Sequence, residues 1–340
     1  MYPKIRTITI LLIVAAVFGC SANAWGQDVN IRPDQQAILA NEALDRTLDK
    51  GGPVASWIAT LLNKENYSRL ENAYMDVEQL YEEDVLWESY LLAAYQIFHP
   101  SNKDISLEAL NKWVEERGSH VAYAARGIYL AQAAGRARGG RYISQTPKEN
   151  LEIMAELCQE AAKDLLVAVD KNPRLSPAYM YLVIMAKMTP MPYTGREIVD
   201  RCWADDKRSY YVPVNYLSSL EPRCGGSYAQ MAEFIEEAVQ YAPLNPRLWT
   251  LQGEIDADRA ALQWEQGNFN YSAELYTSAM QYGERVSWLR YRAACYYKLG
   301  KYKEALDDFQ QVLVYEPRNK QAREWVPWLM ANVRKAQNGG

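Results

Sequence analysis

The chain has 340 residues, 49% of them hydrophobic, and a mean hydropathy of -0.36: enough apolar surface for a full core and too little for a polytopic membrane protein. Its net charge of -5 provides no basic stripe for nucleic acid and no electrostatic hold on an anionic membrane. Tyr (25) and Trp (10) outnumber Phe (5), which favours rings that pack at one end and hydrogen-bond at the other, in helical-repeat cores or in grooves for peptides and sugars.

The N-terminus reads as an export signal. Lys4 and Arg6 precede an uncharged apolar run, Thr7 to Phe18, too short to span a bilayer as a helix. Ala22-Asn23-Ala24 offers a small-x-small cleavage site before Trp25. Removing residues 1–24 takes away two bases and no acid, so the net charge moves from -5 to -7. Val17-Phe18-Gly19-Cys20 also resembles a bacterial lipobox, with Cys20 as the lipidation candidate. The two cleavages predict a soluble periplasmic protein and one anchored to the envelope by lipid, respectively.

Helical patterns follow in chain order. Asp34 caps a helix to about Leu48, and Gly51-Gly52-Pro53 breaks it. Tyr67 to Tyr81 and Leu86 to Phe98 are amphipathic, and the second ends at His99-Pro100. Leu107 to Val114 and Val121 to Ala134 predict a hairpin, followed by a Gly135–Gly140 loop and a helix from Pro147 to about Asp170. No segment shows the sustained alternation of a strand. The class expected is all-α, a right-handed superhelix of helical hairpins. Its parts are a signal peptide (1–24), a helical domain (33–245), repeats (246–319) and a capping helix with a tail (320–340).

The repeat pattern is strongest in Val286 to Asn319. Ala293 and Ala305 are the small residues where two helices meet, Tyr296 packs beside them and Gly300 makes the turn before Tyr302. Phe309 supplies the core ring of the second helix, and Pro317 ends the unit. The segment resembles a tetratricopeptide repeat over its whole length, departing at Arg292 and Val312, where that family prefers Leu and Ala. Weaker copies include Trp249, Gly253, Gly267, Phe269, Tyr276 and Ala279, on a first helix about two turns longer than standard, and Ala161, Leu165 and Ala168 before Tyr179, Leu182 and Ala186. Pro173, Pro243 and Pro317 stand 70 and 74 residues apart, close to two repeat lengths each. Trp325, Trp328 and Met330 mark the capping helix.

The run from Tyr216 to Ser227, containing Glu221-Pro222-Arg223-Cys224-Gly225-Gly226-Ser227, is distinctive. With Leu110-Asn111-Lys112-Trp113, Ala137-Arg138-Gly139 and the helix from Asn150 to Asp170, it resembles a bacterial domain of unknown function 4034, over roughly residues 60–245. Cys224 stands where that family usually has Trp. The resemblance implies a helical, repeat-like domain and no chemistry. From the residues themselves, Pro222 should stop a helix, the glycines open conformations closed to other residues, and Ser227 should cap the helix that follows. The functional alternative is an anion or ligand site, in which Arg223, Gly225, Gly226 and Ser227 present a guanidinium and free N–H groups at a helix N-terminus. Arg136, Arg138 and Arg141 form a second candidate cluster for an anionic ligand.

Among the cysteines only Cys202 and Cys224 suggest a disulfide, since Cys158 and Cys295 fall mid-helix at small apolar positions and no metal-ligand spacing occurs. His99 and His120 sit in turns, and no phosphate loop, nucleophile elbow or zinc motif is present. Adjacent acids such as Asp205-Asp206 and Asp307-Asp308 read as solvated helix faces. No cofactor and no catalysis are expected. The function expected is binding or scaffolding of a protein or peptide partner in the envelope, with no nucleic acid and with membrane contact only through Cys20. Arg290 and Lys298 are the candidate anchors on the concave surface. The alternative is an α-helical envelope protein that binds or hydrolyses glycan, which would need two acids from distant segments converging on one bond.

Overall fold

A computed structural model describes residues 54–140 and 145–338, which contain fifteen α-helices and no strand. The export segment with Cys20, the helix expected from Asp34, the Gly51-Gly52-Pro53 break and Arg141 lie outside the described residues. The described helices belong to one compact unit, Pro33–Gly340.

The N-terminal part comprises α1 (Ala55–Asn63), α2 (Tyr67–Glu83), α3 (Glu88–Gln96), α4 (Leu107–Arg117), α5 (His120–Arg138) and α6 (Lys148–Lys171). Next come α7 (Ser176–Met188), α8 (Gly195–Asp205), α9 (Tyr211–Leu217) and α10 (Tyr228–Val239). The C-terminal part holds α11 (Glu254–Glu265), α12 (Phe269–Ala279), α13 (Val286–Lys298), α14 (Tyr302–Tyr315) and α15 (Lys320–Asn338). Helix starts follow local chemistry: Ser106, Ser119 and Ser227 cap α4, α5 and α10, and Thr194 with Glu197 forms a capping box on α8. The loop expected at Gly135–Gly140 is shorter than its glycines suggest, because α5 continues to Arg138. Pro222 opens a short 3-10 turn, and the preceding helix has already ended at Leu217. The extra length before α11 is a 3-10 segment, Pro246–Gly253, leading directly into the helix.

Helix α2 shows how sequence spacing becomes architecture. Tyr67, Leu70, Tyr74, Val77 and Tyr81 recur at helical spacing and are all buried. Glu71, Glu78 and Glu82 lie on the flank of that stripe and tie other helices to it. Glu71 accepts from Trp113 Nε1 (3.2 Å), Ser119 Oγ (2.6 Å) and Arg117 Nη2 (2.8 Å). Burial opposes its charge, yet these bonds hold its carboxyl below the usual range. Glu78 meets Tyr95, His120 and Asn172, and Glu82 meets Arg174 and Arg208. These three glutamates of α2 are therefore structural.

The hairpin repeat is visible in packing. In α13–α14, Arg292-Ala293 faces Ala305, Asp308, Phe309 and Val312, and Arg292 makes a bidentate pair with Asp308 at 2.7 and 2.9 Å. In α5–α6, Arg126-Gly127 faces Ala161, Asp164, Leu165 and Ala168, with Arg126 on Asp164 at 2.6 and 2.7 Å. A Cβ on Gly127 would lie 2.7 Å from Leu165, so this pair packs closely because the residue is glycine. In α11–α12 the positions are Arg259-Ala260 against Ser272, Leu275, Tyr276 and Ala279, with the four helix-α12 residues buried. Leu275 replaces the aspartate there, and Arg259 lies instead over Tyr228 at 4.7 Å. Three hairpins thus share one interface pattern. Gly267 (φ 81°) and Gly300 (φ 73°) make the same left-handed turn between helices, each followed by a backbone bond of 2.9 Å back across the helix end.

The expectation of solvated acid pairs is corrected at two places. Asp206 is buried and accepts from Tyr81 (2.7 Å) and Arg208 (2.8 Å), and Asp308 is buried against Arg292. Adjacent helical residues point different ways, which turns Asp308 inward to Arg292, whereas Asp206 is the extended residue that ends α8 and turns in to Tyr81 and Arg208.

Candidate binding cleft

The distinctive glycine run folds as a tight connection into α10. Gly225 has φ 91°, and a Cβ on Gly226 would lie 2.2 Å from the carbonyl oxygen of Leu220, so the backbone there leaves no room for a side chain. Ser227 Oγ accepts from Gln230 N at 3.2 Å, the cap expected from its position. This connection delivers Glu221 and Arg223 to the side of α11.

A cleft of about 180 Å³ opens there, walled by Glu221 and Arg223, by α11 through Glu254, Ala257, Asp258 and Ala261, by Tyr276 of α12, and by Arg285, Ser287, Trp288 and Tyr291 at the start of α13. Residues 254, 257, 258 and 261 share one face of α11, and residues 287, 288 and 291 share one face of α13. Arg223 donates to Glu221 (Nε to Oε2, 2.9 Å) and to Asp258, and lies 4.0 Å from Glu265. Tyr228 also donates to Asp258, at 2.9 Å. Arg285 pairs with Glu254 and covers the Trp288 ring at 5.0 Å. Tyr276 is buried and stacks on Tyr291 with centroids 5.9 Å apart, while Tyr291 is 53% exposed. Burial raises the Glu221 carboxyl above the usual carboxylate range, against the pull of Lys187 and Arg223.

Residues 287–319 match the tetratricopeptide repeat family. The match takes in α13, α14 and the turn between them, the hairpin in which Ala293, Ala305 and Phe309 were expected to pack. No curated protein matches the chain. The cleft lies at the N-terminal edge of the matched tetratricopeptide hairpin, and two of its walls are the first helices of consecutive hairpins, α11 and α13.

The sequence-derived candidates divide. Arg223, Gly225, Gly226 and Ser227 do sit together at the start of α10, but the anion reading is corrected. Arg223 already has carboxylate partners in Glu221 and Asp258, and these would repel an anion. The disulfide is corrected as well: both thiols are free, Cys202 buried on α8 and Cys224 exposed in the 3-10 turn. Burial pushes the Cys202 thiol well up, as it also raises Cys158 to about 11, so neither buried sulfur is a reactive thiolate. Arg136 is exposed on the last turn of α5, and Arg138 donates to the Gly139 carbonyl at 3.2 Å. Arg290 is no groove anchor, since it donates twice to Gln321 (2.9 and 2.6 Å) and joins α13 to α15. Lys298 is exposed at the end of α13 and does not line the cleft. Of the lining residues Arg223 was a candidate from sequence, whereas Glu254, Asp258, Arg285, Trp288 and Tyr291 were not singled out as site residues. The signal that could have found it is the spacing of Trp288 and Tyr291, which places two aromatics on one face of a first helix.

A larger hollow of about 370 Å³ lies between α12 and the turn after α13, lined by Asn270, Glu274, Thr277, Ser278, Tyr296 and Lys301 among others. Its polar groups are largely bonded to one another and to the fold: Asn270 to Glu274 (2.6 Å), Ser278 to Asp256 (2.6 Å) and Thr277 to the Ala273 carbonyl (2.9 Å). No group of three or more potential metal ligands occurs among the described residues.

Proposed function

We propose that this chain is an exported helical-repeat scaffold of the bacterial envelope that holds an extended protein segment along the first helices of its C-terminal hairpins. The tetratricopeptide match supports a protein-interaction role, because such repeats mediate contacts between proteins. The single observation that carries the reading is the cleft between α11 and α13, where the exposed Tyr291 and the charged Glu221, Arg223, Glu254 and Arg285 stand beside the buried Ala257, Tyr276 and Trp288. Aromatic and charged anchors of this kind hold extended partners. The resemblance to the domain of unknown function 4034 belongs to this proposal and adds no chemistry to it.

Affinity capture from envelope extracts, with the native protein against Tyr291→Glu, tests the binding role. Loss of captured proteins on substitution is the expected result, and an unchanged set refutes the groove. Mass spectrometry of the mature N-terminus tests export: Trp25 means a soluble protein, diacylated Cys20 an anchored one, and an intact Met1 neither.

The glycan-hydrolase alternative has one observation in its favour: Glu221 and Asp258 come from distant segments and face one cleft, with the Glu221 carboxyl raised by burial. Against it, both carboxylates share Arg223 as an ion-pair partner, so neither stands free to protonate a leaving group. Release of reducing ends from cell-wall glycan by the purified protein, abolished in Glu221→Gln, would reverse the choice.

A further inference from the structure

We propose that the cleft between α11 and α13 receives the cationic side chain, guanidinium or ammonium, of an extended basic protein segment. The inference rests on the groove-binding reading and names its partner. Size comes first. At about 180 Å³ the cleft is smaller than the roughly 300–1,000 Å³ of small-molecule sites, and it suits one side chain reaching in from a chain outside.

Charge sets the sign of that side chain. Three carboxylates (Glu221, Glu254 and Asp258) face two guanidiniums (Arg223 and Arg285), and a fourth carboxylate, Glu265, stands at the edge 4.0 Å from Arg223. Both guanidiniums are already paired, Arg223 with Glu221 and Asp258, Arg285 with Glu254. A phosphate or carboxylate would have to displace those partners, whereas with Lys187, which also acts on Glu221, counted among the cations, the four carboxylates still exceed them by one, so a cation meets a small negative excess. Glu221 is held partly out of water, and Lys187 and Arg223 offset that cost only in part.

Aromatic geometry agrees. Tyr291 lines the cleft, stacks on Tyr276 and is half exposed, so its ring is accessible to a cation. The neighbouring rings already do this within the fold: Arg285 lies over Trp288 at 5.0 Å and Arg259 over Tyr228 at 4.7 Å. Of the cleft's two tyrosines, Tyr276 is buried and Tyr291 is the exposed one, and among the described residues no cation lies over the Tyr291 ring.

The test uses the full chain and four blocked, fluorescein-labelled peptides that differ only at one central position: Arg, Lys, norleucine or Glu. Fluorescence anisotropy should show the Arg and Lys peptides binding at least about tenfold tighter than norleucine or Glu, with the preference falling as salt rises. Glu221→Gln and Tyr291→Leu should each reduce the Arg preference about threefold or more, and Lys148→Ser, on the far more exposed start of α6, should not change it. Circular dichroism confirms that each variant is folded, and hydrogen exchange should show new protection in α11 and α13 on binding the Arg peptide. Equal binding of all four peptides, or an Arg preference that survives both substitutions, overturns the proposal. Envelope proteins lost from capture in Tyr291→Glu that bind through acidic or apolar segments would refute the cation alone, leaving the groove reading in place. No loss at all would refute the groove.

Discussion

Glu88 is 1% exposed, and its carboxylate accepts from Ser209 Oγ (2.5 Å) and Tyr210 N (2.8 Å), with Arg247 and Asp206 as its charged neighbours. Burial outweighs those bonds and raises its carboxyl to about 7. A carboxyl raised in the folded state above its unfolded value of 4.5 contributes stability that is fully present below that value and lost as pH rises through about 7. The wild-type protein should therefore lose stability between about pH 5 and pH 8 relative to Glu88→Gln, by on the order of 3 kcal/mol. Urea denaturation of both proteins at the two pH values checks this, and parallel behaviour refutes it. Gly226 makes a second residue-scale prediction. Its alanine Cβ would meet the Leu220 carbonyl, which is backbone and cannot swing aside. Gly226→Ala should destabilise by about 1–3 kcal/mol in thermal or urea unfolding, while Arg136→Ala, on an exposed helix end, should change little.

At the scale of the element, the Arg–Asp pair is a replaceable device. Arg292–Asp308 is mostly buried, with side chains 19% and 8% exposed, and the equivalent place in α12 holds Leu275 instead of an acid. Burial raises the Asp308 carboxyl even against the pull of Arg292, so the pair is held in surroundings that disfavour charge. Asp308→Leu alone should cost about 3 kcal/mol, because it leaves a buried guanidinium unpaired. The double change Arg292→Leu and Asp308→Leu should recover most of that loss. A double-mutant cycle in urea measures the coupling, and strictly additive losses would show that the two side chains do not act as a pair. Sequence marked Arg292 as a departure from the repeat and gave no hint that its partner was one of two adjacent acids. Helical phase decides which aspartate of Asp307-Asp308 turns inward, and that phase is set by how α14 docks.

Across the described residues, α15 packs onto the α13–α14 hairpin as a further layer of the stack. Ala322 and Leu329 of α15 are fully buried against Leu289, Phe309 and Val312, and Trp325 and Trp328 pack around Tyr297 and Tyr302. In a stack whose units touch chiefly their neighbours, removing the end unit loosens the adjacent one most. Deletion of residues 320–340 should therefore strip hydrogen-exchange protection from α13 and α14 while α5 and α6 keep theirs, and uniform loss along the chain would refute nearest-neighbour coupling. The sequence alone determined the all-α class and the C-terminal hairpin, because these depend on local features: helical spacing of apolar residues, a turn glycine at 300 and small residues at 293 and 305. The Ser227 cap was readable for the same reason. Only tertiary structure decided the cleft. Arg223 looked like an anion site while its loop was read alone, and became half of an ion pair once α11, 35 residues further on, brought Asp258 against it. Arg290 looked free until α15 brought Gln321. The charge and exposure of a side chain depend on what other segments place beside it, and that is fixed by packing between helices, to which spacing along one helix is blind.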